Sequence, residues 1–321
     1  MWHLSAGLER DGGLVELKVG LALGSGAARG WSHIGIINGL AEMGIEPEIV
    51  SGSSIGALVG AAYAADKLEL LQAWTCSLTW KEIIRFLDPT LLGGGLIQGD
   101  RLAEFISEYV KDLDFNDLKR QLGVVATELE TGREIWFRQG PVMEAVRASI
   151  SLPGLFTPLR HEGRWLVDGG LANPVPVSLC RAMGADIVIA VNLNGDILGK
   201  HLRQSSADQN KPAEVRDDDL WGRITGQVMS SLYSRKKELM NRLLGENRNV
   251  PGLYEVLASS INIMQDRITR SRMAGDPPEI TLAPRMSKLG LMEFDEAEMA
   301  IDEGLKEIRR MRPALEQLFE R

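Results

Sequence analysis

Ser54 lies in a segment whose residue types are typical of an activated serine nucleophile. The segment GSSIG at 52–56 follows an apolar run and precedes a helical pattern, so a G-x-S-x-G motif stands between a predicted strand and a predicted helix. The turn must be sharp, and Gly52 and Gly56 remove side chains that would clash there. Such a turn lifts Ser54 to the helix N-terminus, where backbone N–H groups favour developing negative charge. A Gly/Ser turn that only caps a helix is the alternative.

A serine nucleophile needs a base, and the sequence favours a carboxylate over a histidine. Of the four histidines, only His201 could follow a downstream aspartate in the chain order of α/β-hydrolases, and it lies in a polar stretch. Asp168 ends a predicted strand and is followed by Gly169 and Gly170. Because an ordinary aspartate has a pKa of about 3.9, Asp168 must be desolvated or hydrogen-bonded to Ser54 to act as the base.

A glycine-rich loop follows the first predicted strand and allows two interpretations. A dinucleotide or phosphate loop uses a G-x-G pattern between strand and helix, but its template wants a small residue where this chain has Arg29. An oxyanion hole uses free backbone N–H groups, here near positions 26–28, to stabilise a developing alkoxide. The loop alone leaves both interpretations open. Its residues are Gly24, Ser25, Gly26, Ala27, Ala28, Arg29 and Gly30.

Alternating strand and helix patterns must position these groups. The segments that read as strands are 15–23, 48–51, 124–129, 133–137, 164–167 and 186–193. The segments with helical spacing are 30–43, 55–65, 67–87, 100–111 and 177–183. Strands that alternate with helices predict an α/β fold with a mostly parallel sheet covered on both faces.

The composition changes after Asn194, which divides the chain. Helical patterns resume from Leu220, with one more short strand at 280–283 and a closing amphipathic helix at 293–318. The predicted organisation is an N-terminal extension over 1–16, an α/β core over 17–194, a flexible polar loop over 195–219 and a helical C-terminal extension over 220–321 that packs on the core.

Composition and charge exclude several classes of protein. The 321 residues carry a net charge of −8, which gives no general attraction to nucleic acid. Cys76 and Cys180 are too few and too far apart for a disulfide framework or a metal cluster, which suits a reducing compartment. The N-terminus lacks the pattern of a signal peptide, and no apolar run approaches the roughly 20 residues of a membrane span. We therefore expect a cytoplasmic protein without a metal site.

Three motifs in order make a specific resemblance. The loop GSGAARG at 24–30, the G-x-S-x-G at 52–56 and Asp168-Gly169-Gly170 resemble the patatin-like phospholipase family. The segments ASISLPG at 148–154 and NPVP at 173–176 are similar to family segments as well. The likeness covers about residues 17–193 and is nearest to the small bacterial members of the RssA type, extending to RMAGDPP at 272–278. The loop departs from the commoner family pattern at Ser25, where a glycine is usual.

The resemblance implies a three-layer α/β/α fold and an esterase that cleaves acyl esters of lipids, as a phospholipase A or lysophospholipase does. By motif, Ser54 is then the nucleophile, Asp168 the base, and the loop at 24–30 the oxyanion hole. Family members of this type work without calcium, so we expect neither a metal nor another cofactor. A regulatory or scaffolding protein that binds an acyl lipid with little turnover is the alternative function.

The expected partners follow from a lipid substrate. The stretch Trp221–Leu244 combines an apolar stripe with basic residues, and contact with a membrane surface is one interpretation, packing on the core or on a second subunit the other. Two partners therefore stay possible, namely the surface of the inner membrane and a second copy of the chain in a homodimer. The segments 91–97 and 195–219 are candidate lids or ordinary surface loops.

Overall fold

The computed structural model of the chain describes residues 7–10, 13–79, 95–97, 113–195 and 253–319. Its strands are β1 (Gly7–Arg10), β2 (Gly13–Glu16), β3 (Val19–Leu23), β4 (Ile49–Ser53), β5 (Gly95–Ile97), β6 (Gln121–Glu128), β7 (Glu134–Phe137), β8 (Gly154–Phe156), β9 (Leu159–His161), β10 (Arg164–Asp168), β11 (Ile187–Val191) and β12 (Ile280–Leu282). Its helices are α1 (Ser32–Glu42), α2 (Ile55–Ala64), α3 (Leu68–Ser77), α4 (Val142–Ser149), α5 (Val177–Ala182), α6 (Leu253–Gly275) and α7 (Ala297–Phe319).

Eight of these strands form one sheet in the order β12-β11-β3-β4-β6-β10-β9, and β7 also pairs with β6. The strands from β12 to β6 are parallel, whereas β7, β9 and β10 add antiparallel pairs. The parallel strands are mostly buried, as cover on both faces of the sheet requires, and β4 and β11 have no exposed residue. The mostly parallel sheet is confirmed.

The register of β6 brings two strand ends together. Residues 124 and 125 of β6 pair with both β4 and β7, and residues 126 and 127 pair with both β7 and β10. Since a strand has only two edges, β4 and β10 lie on the same edge of β6 and meet end to end. The last residue of β4, Ser53, is opposite Val125, and Asp168 of β10 is opposite the next residue, Ala126.

Helices cover both faces of the sheet. Leu21 and Leu23 of β3 point into the larger core, which includes residues of α1, α2, α4 and α7. Ala22 between them points to the other face, into a smaller core with Val177 and Cys180 of α5. This gives the three layers expected of an α/β/α fold.

The C-terminal residues are part of this architecture. Strand β12 extends the sheet beyond β11, and α7 packs along α1. The buried Glu307 of α7 accepts a hydrogen bond from the Ala283 N–H at 2.8 Å, which ties the end of β12 to the helix. The sequence predicts this strand at 280–283. The helical C-terminal extension predicted over 220–321 is therefore not helical throughout, because it also supplies a strand of the central sheet.

The single strand predicted over 15–23 is wrong. The structure divides it into β2, which pairs with β1 in a separate two-stranded sheet, and β3, which enters the central sheet. The predicted stretch Trp221–Leu244 lies outside the described residues, as does most of the loop over 195–219. Of the segment 91–97, residues 95–97 form β5, which pairs with β8.

Candidate active site

Ser54 lies between β4 and α2 in a backbone conformation that side chains rarely adopt. Its φ is 57° and its ψ is −125°, and the helix starts at the next residue. The turn depends on close backbone approach, because a Cβ on Gly56 would lie 2.2 Å from the Leu23 carbonyl oxygen. A strained, non-glycine φ that the surrounding structure enforces is typical of functional sites. This geometry is that of a nucleophile elbow.

Asp168 lies directly beside the Ser54 hydroxyl. The Ser54 Oγ donates a hydrogen bond to Asp168 Oδ2 at 2.5 Å, although 114 residues separate the two in the chain. The other carboxylate oxygen, Oδ1, accepts from the Gly170 N–H at 2.7 Å. The Asp168 side chain is 1% exposed, and this burial raises its pKa to about 6, against the opposing effect of the two hydrogen bonds. A carboxylate in this state can accept a proton near neutral pH.

The end of α4 and the residues just after it hold both Ser54 and Asp168 in place. The buried Ser149 Oγ accepts a hydrogen bond from the Ser54 N–H at 2.8 Å, and the Ser151 carbonyl accepts from the Asp168 N–H at 2.9 Å. The buried Arg147 guanidinium donates to Ser151 Oγ at 2.7 Å, which fixes the segment from within. No residue pattern in the sequence predicts these contacts, and only the resemblance of 148–154 to a family segment marks this part of the chain.

The glycine-rich loop has two backbone N–H groups without a partner among the described residues, those of Gly26 and Ala27. The engaged amides donate to carbonyls: Gly24 to Val191, Ser25 to Pro174, Ala28 to Leu291 and Arg29 to Gly26. Ala28, which the sequence places among the donors, is thus held by the segment before α7, and we correct the prediction on that point. Ala27 has a φ of 50°, a second strained backbone position in the site.

Two buried side chains hold the loop from behind. His33 Nε2 donates to the Gly24 carbonyl at 2.8 Å, and complete burial lowers the pKa of His33 to about 4, so the ring is neutral at physiological pH. Arg29 donates through Nε to the Leu289 carbonyl at 3.2 Å. Burial lowers the pKa of Arg29 to about 10, partly offset by the charge of Glu293, and the guanidinium stays positive.

A third contact comes from α6, which lies across the loop. Ser25 Oγ and Asn194 Nδ2 both donate to Gln265 Oε1, each at 3.2 Å, and all three side chains are buried. Gly170 packs directly against this group, because a Cβ at its position would lie 2.5 Å from Gln265 Nε2 and 2.8 Å from Ser25 Oγ. Helix α6 therefore connects the loop to the turn that follows Asp168. No sequence motif marks Gln265, and its only signal in the sequence is that it belongs to a polar face of its helix.

The remaining predicted residues surround this centre. Gly52, Gly56 and Gly30 pack where β4, α2 and the loop approach one another, and Gly169 lies against the Val125 carbonyl of β6. His161 is paired with Glu144 at 2.8 Å, whereas His201 lies outside the described residues. Within the described part of the chain, no helix is long and apolar enough to span a membrane, and no cluster of His, Cys, Asp and Glu has the makings of a metal site.

Comparison with known proteins gives consistent matches. A family model described as patatin-like phospholipase matches residues 21–181. An NTE family protein of Mycobacterium tuberculosis is 33% identical over 320 residues, covering 89% of each chain. A lysophospholipase, NTE1, of Pyricularia oryzae is 30% identical over 303 residues, which cover 91% of this chain and 18% of that protein. A patatin-like phospholipase domain-containing protein of Caenorhabditis elegans is 33% identical over 189 residues, 56% of this chain and 14% of its own length.

Proposed function

Because the chain belongs to the patatin-like phospholipase family, we propose that it hydrolyses acyl esters of lipids through Ser54 and Asp168. The observation that carries the proposal is the 2.5 Å hydrogen bond from the Ser54 hydroxyl to a buried carboxylate whose pKa is raised to about 6. Phosphate binding, the other interpretation of the glycine-rich loop, leaves this pair unexplained. The proposed reaction needs no metal ion or organic cofactor.

In the acylation step, Ser54 Oγ attacks the ester carbonyl carbon while its proton passes to Asp168 Oδ2. The carbonyl oxygen becomes an oxyanion, and the N–H groups of Gly26 and Ala27 are the donors we assign to it. Each donor of this kind typically contributes about 3 kcal/mol of transition-state stabilisation. When the tetrahedral intermediate collapses, the bond to the alcohol oxygen breaks, and the alcohol leaves with the proton from Asp168.

In the deacylation step, the same carboxylate acts on water. Asp168 accepts a proton from a water molecule, whose oxygen attacks the carbonyl carbon of the acyl-enzyme. The intermediate then releases the fatty acid, and Ser54 recovers its proton. The same carboxylate acts first as base and then as acid in each of the two steps, which requires a pKa near the working pH. Burial of Asp168 supports this role.

A lysophospholipid is the substrate class we favour, since related NTE proteins are described as lysophospholipases. The test is hydrolysis of lysophosphatidylcholine and of a short p-nitrophenyl ester by wild type, Ser54→Ala and Asp168→Asn. Ser53→Ala is a matched control, because the Ser53 hydroxyl is buried one residue away and has no hydrogen-bond partner among the residues that the structure describes. Circular dichroism of each variant verifies the fold.

We expect Ser54→Ala and Asp168→Asn to abolish turnover of both substrates and Ser53→Ala to retain it. Near-normal rates in Asp168→Asn would refute the role of the carboxylate. Lipid binding by the wild type without turnover of either substrate would refute the enzyme and favour the alternative of an acyl-lipid-binding scaffold.

A further inference from the structure

Helix α6 buries a polar face and exposes an apolar one, the reverse of an ordinary surface helix. Its face toward the protein is polar, with Gln265, Asp266 and Thr269 buried. Its opposite face is apolar and open to solvent. The large side chains there, each 46–51% exposed, are Val256, Leu257, Ile263 and Met264. At 100° per residue these four lie on one stripe, about half a turn away from the buried residues. We call this stripe the outer face of α6.

Arginines are the charged residues on or beside the outer face of α6. Arg267 continues the outer face one turn beyond Ile263, and Arg270 flanks it. Arg272 instead forms an ion pair with Glu134 at 2.8 Å. Of the two acidic residues of α6, Glu255 lies in the first turn of the helix, and Asp266 is buried and bound to Arg270 at 2.7 Å. In a chain of net charge −8, this is a local basic and apolar surface.

The outer face lies close to the candidate active site. The buried side of the same helix contacts Ser25 through Gln265 and packs on the turn after Asp168. A helix with its side chains is about 10–12 Å across. A surface that engages the outer face therefore lies about one helix diameter from the glycine-rich loop.

We propose that the outer face of α6 docks onto the surface of an anionic phospholipid bilayer. The inference rests on the proposed lipid substrate. An apolar stripe that carries Arg267 and is flanked by Arg270 has the composition of helices that lie in the bilayer interface. The apolar side chains enter the acyl boundary, while the arginine heads reach lipid phosphates. Docking holds the helix that supports the oxyanion loop at the surface where the substrate resides.

The test is sedimentation of the full chain with vesicles of phosphatidylcholine alone or mixed with phosphatidylglycerol. All proteins carry Ser54→Ala, so binding is measured without turnover. The test variant is Ile263→Ser/Met264→Ser. The matched control is Leu70→Ser/Met299→Ser, which removes two side chains of similar exposure, 47% and 48%, from other helices. Arg267→Gln tests the charge.

We expect the parent protein to bind the vesicles that contain phosphatidylglycerol more tightly than the others. The test variant should lower the partition coefficient about tenfold or more, equivalent to about 1.4 kcal/mol, and the control pair should leave it unchanged. Arg267→Gln should reduce the preference for phosphatidylglycerol.

Three results would overturn the proposal. The first is absence of vesicle binding by the parent, or an equal loss in the control pair. The second is a change of oligomeric state in the test variant by analytical ultracentrifugation, which would assign the outer face to a second copy of the chain. The third is a lower Tm in the test variant than in the control pair, which would mean that the face packs within the chain. Ester hydrolysis by the native serine enzyme is measured separately, so its failure is distinct from a failure to dock.

Discussion

Lowering the pH from 7 to 5 should inactivate Ser54 by protonating Asp168. The base must be ionised to accept the serine proton, and burial raises the pKa of Asp168 to about 6. About nine tenths of the carboxyl groups are then ionised at pH 7 and about one tenth at pH 5. The rate of acylation should therefore fall about tenfold over this interval, whereas an ordinary aspartate with a pKa of about 3.9 would lose less than a tenth of its ionised form.

The assay is kcat/KM for a short p-nitrophenyl ester, since this ratio reports the ionisation of the free enzyme. Absorbance is read at the isosbestic point of p-nitrophenol, so that the leaving group does not distort the profile. The rate of labelling by a fluorophosphonate should follow the same curve, because it needs the same proton transfer. A flat profile between pH 5 and 8 would refute the reasoning, as would a profile that is unchanged in Asp168→Asn.

The remaining predictions concern the supports of the site and its stability. Gln265→Ala should lower kcat with little effect on KM, and a double-mutant cycle with Ser25→Ala should show coupling, because the two side chains are hydrogen-bonded beside the loop. Ser149→Ala leaves the half-buried Ser54 N–H without its acceptor and should cost about 1 kcal/mol in urea unfolding, together with a loss of kcat. Asp168→Asn should be more stable than wild type at pH 8, by on the order of 3 kcal/mol in urea unfolding, because it removes a buried charge.

The sign of the last effect follows from proton linkage. The pKa of Asp168 is raised in the folded state, so the folded protein binds the proton more tightly than the unfolded chain. The contribution of Asp168 to the free energy of unfolding is therefore fully present below about pH 3.9, and it is lost as the pH rises through about 6. The difference between Asp168→Asn and wild type should therefore shrink on acidification below pH 6. A difference that is independent of pH would contradict the burial of an ionised carboxylate.

The architecture could be predicted from local patterns because β3, β4 and β11 contain short apolar runs that stop at a glycine or a polar turn. Strand β4 followed by the Gly52–Gly56 turn is the clearest case, since the same residues mark the strand end and the serine. The prediction of one strand over 15–23 was wrong because no glycine or proline separates residue 16 from residue 19 in the sequence. Only the pairing of β2 with β1, and of β3 with β11, shows that these are two strands.

The meeting of Ser54 and Asp168 could not be read from spacing. It depends on β4 and β10 sharing one edge of β6, a register set by contacts between residues far apart in the chain. The supports of the site are less accessible still. Gln265 lies 240 residues from Ser25, and nothing in its own helix distinguishes a buried amide from an exposed one. The Leu291 carbonyl that occupies the Ala28 N–H is a similar case.

Labelling with a fluorophosphonate probe, read by intact mass and peptide mapping, tests most directly whether Ser54 is an activated nucleophile. We predict a single adduct on wild type, located on Ser54, absent from Ser54→Ala and strongly slowed in Asp168→Asn. An adduct that persists in Ser54→Ala, or no adduct on folded wild type, would contradict the proposed chemistry of the site.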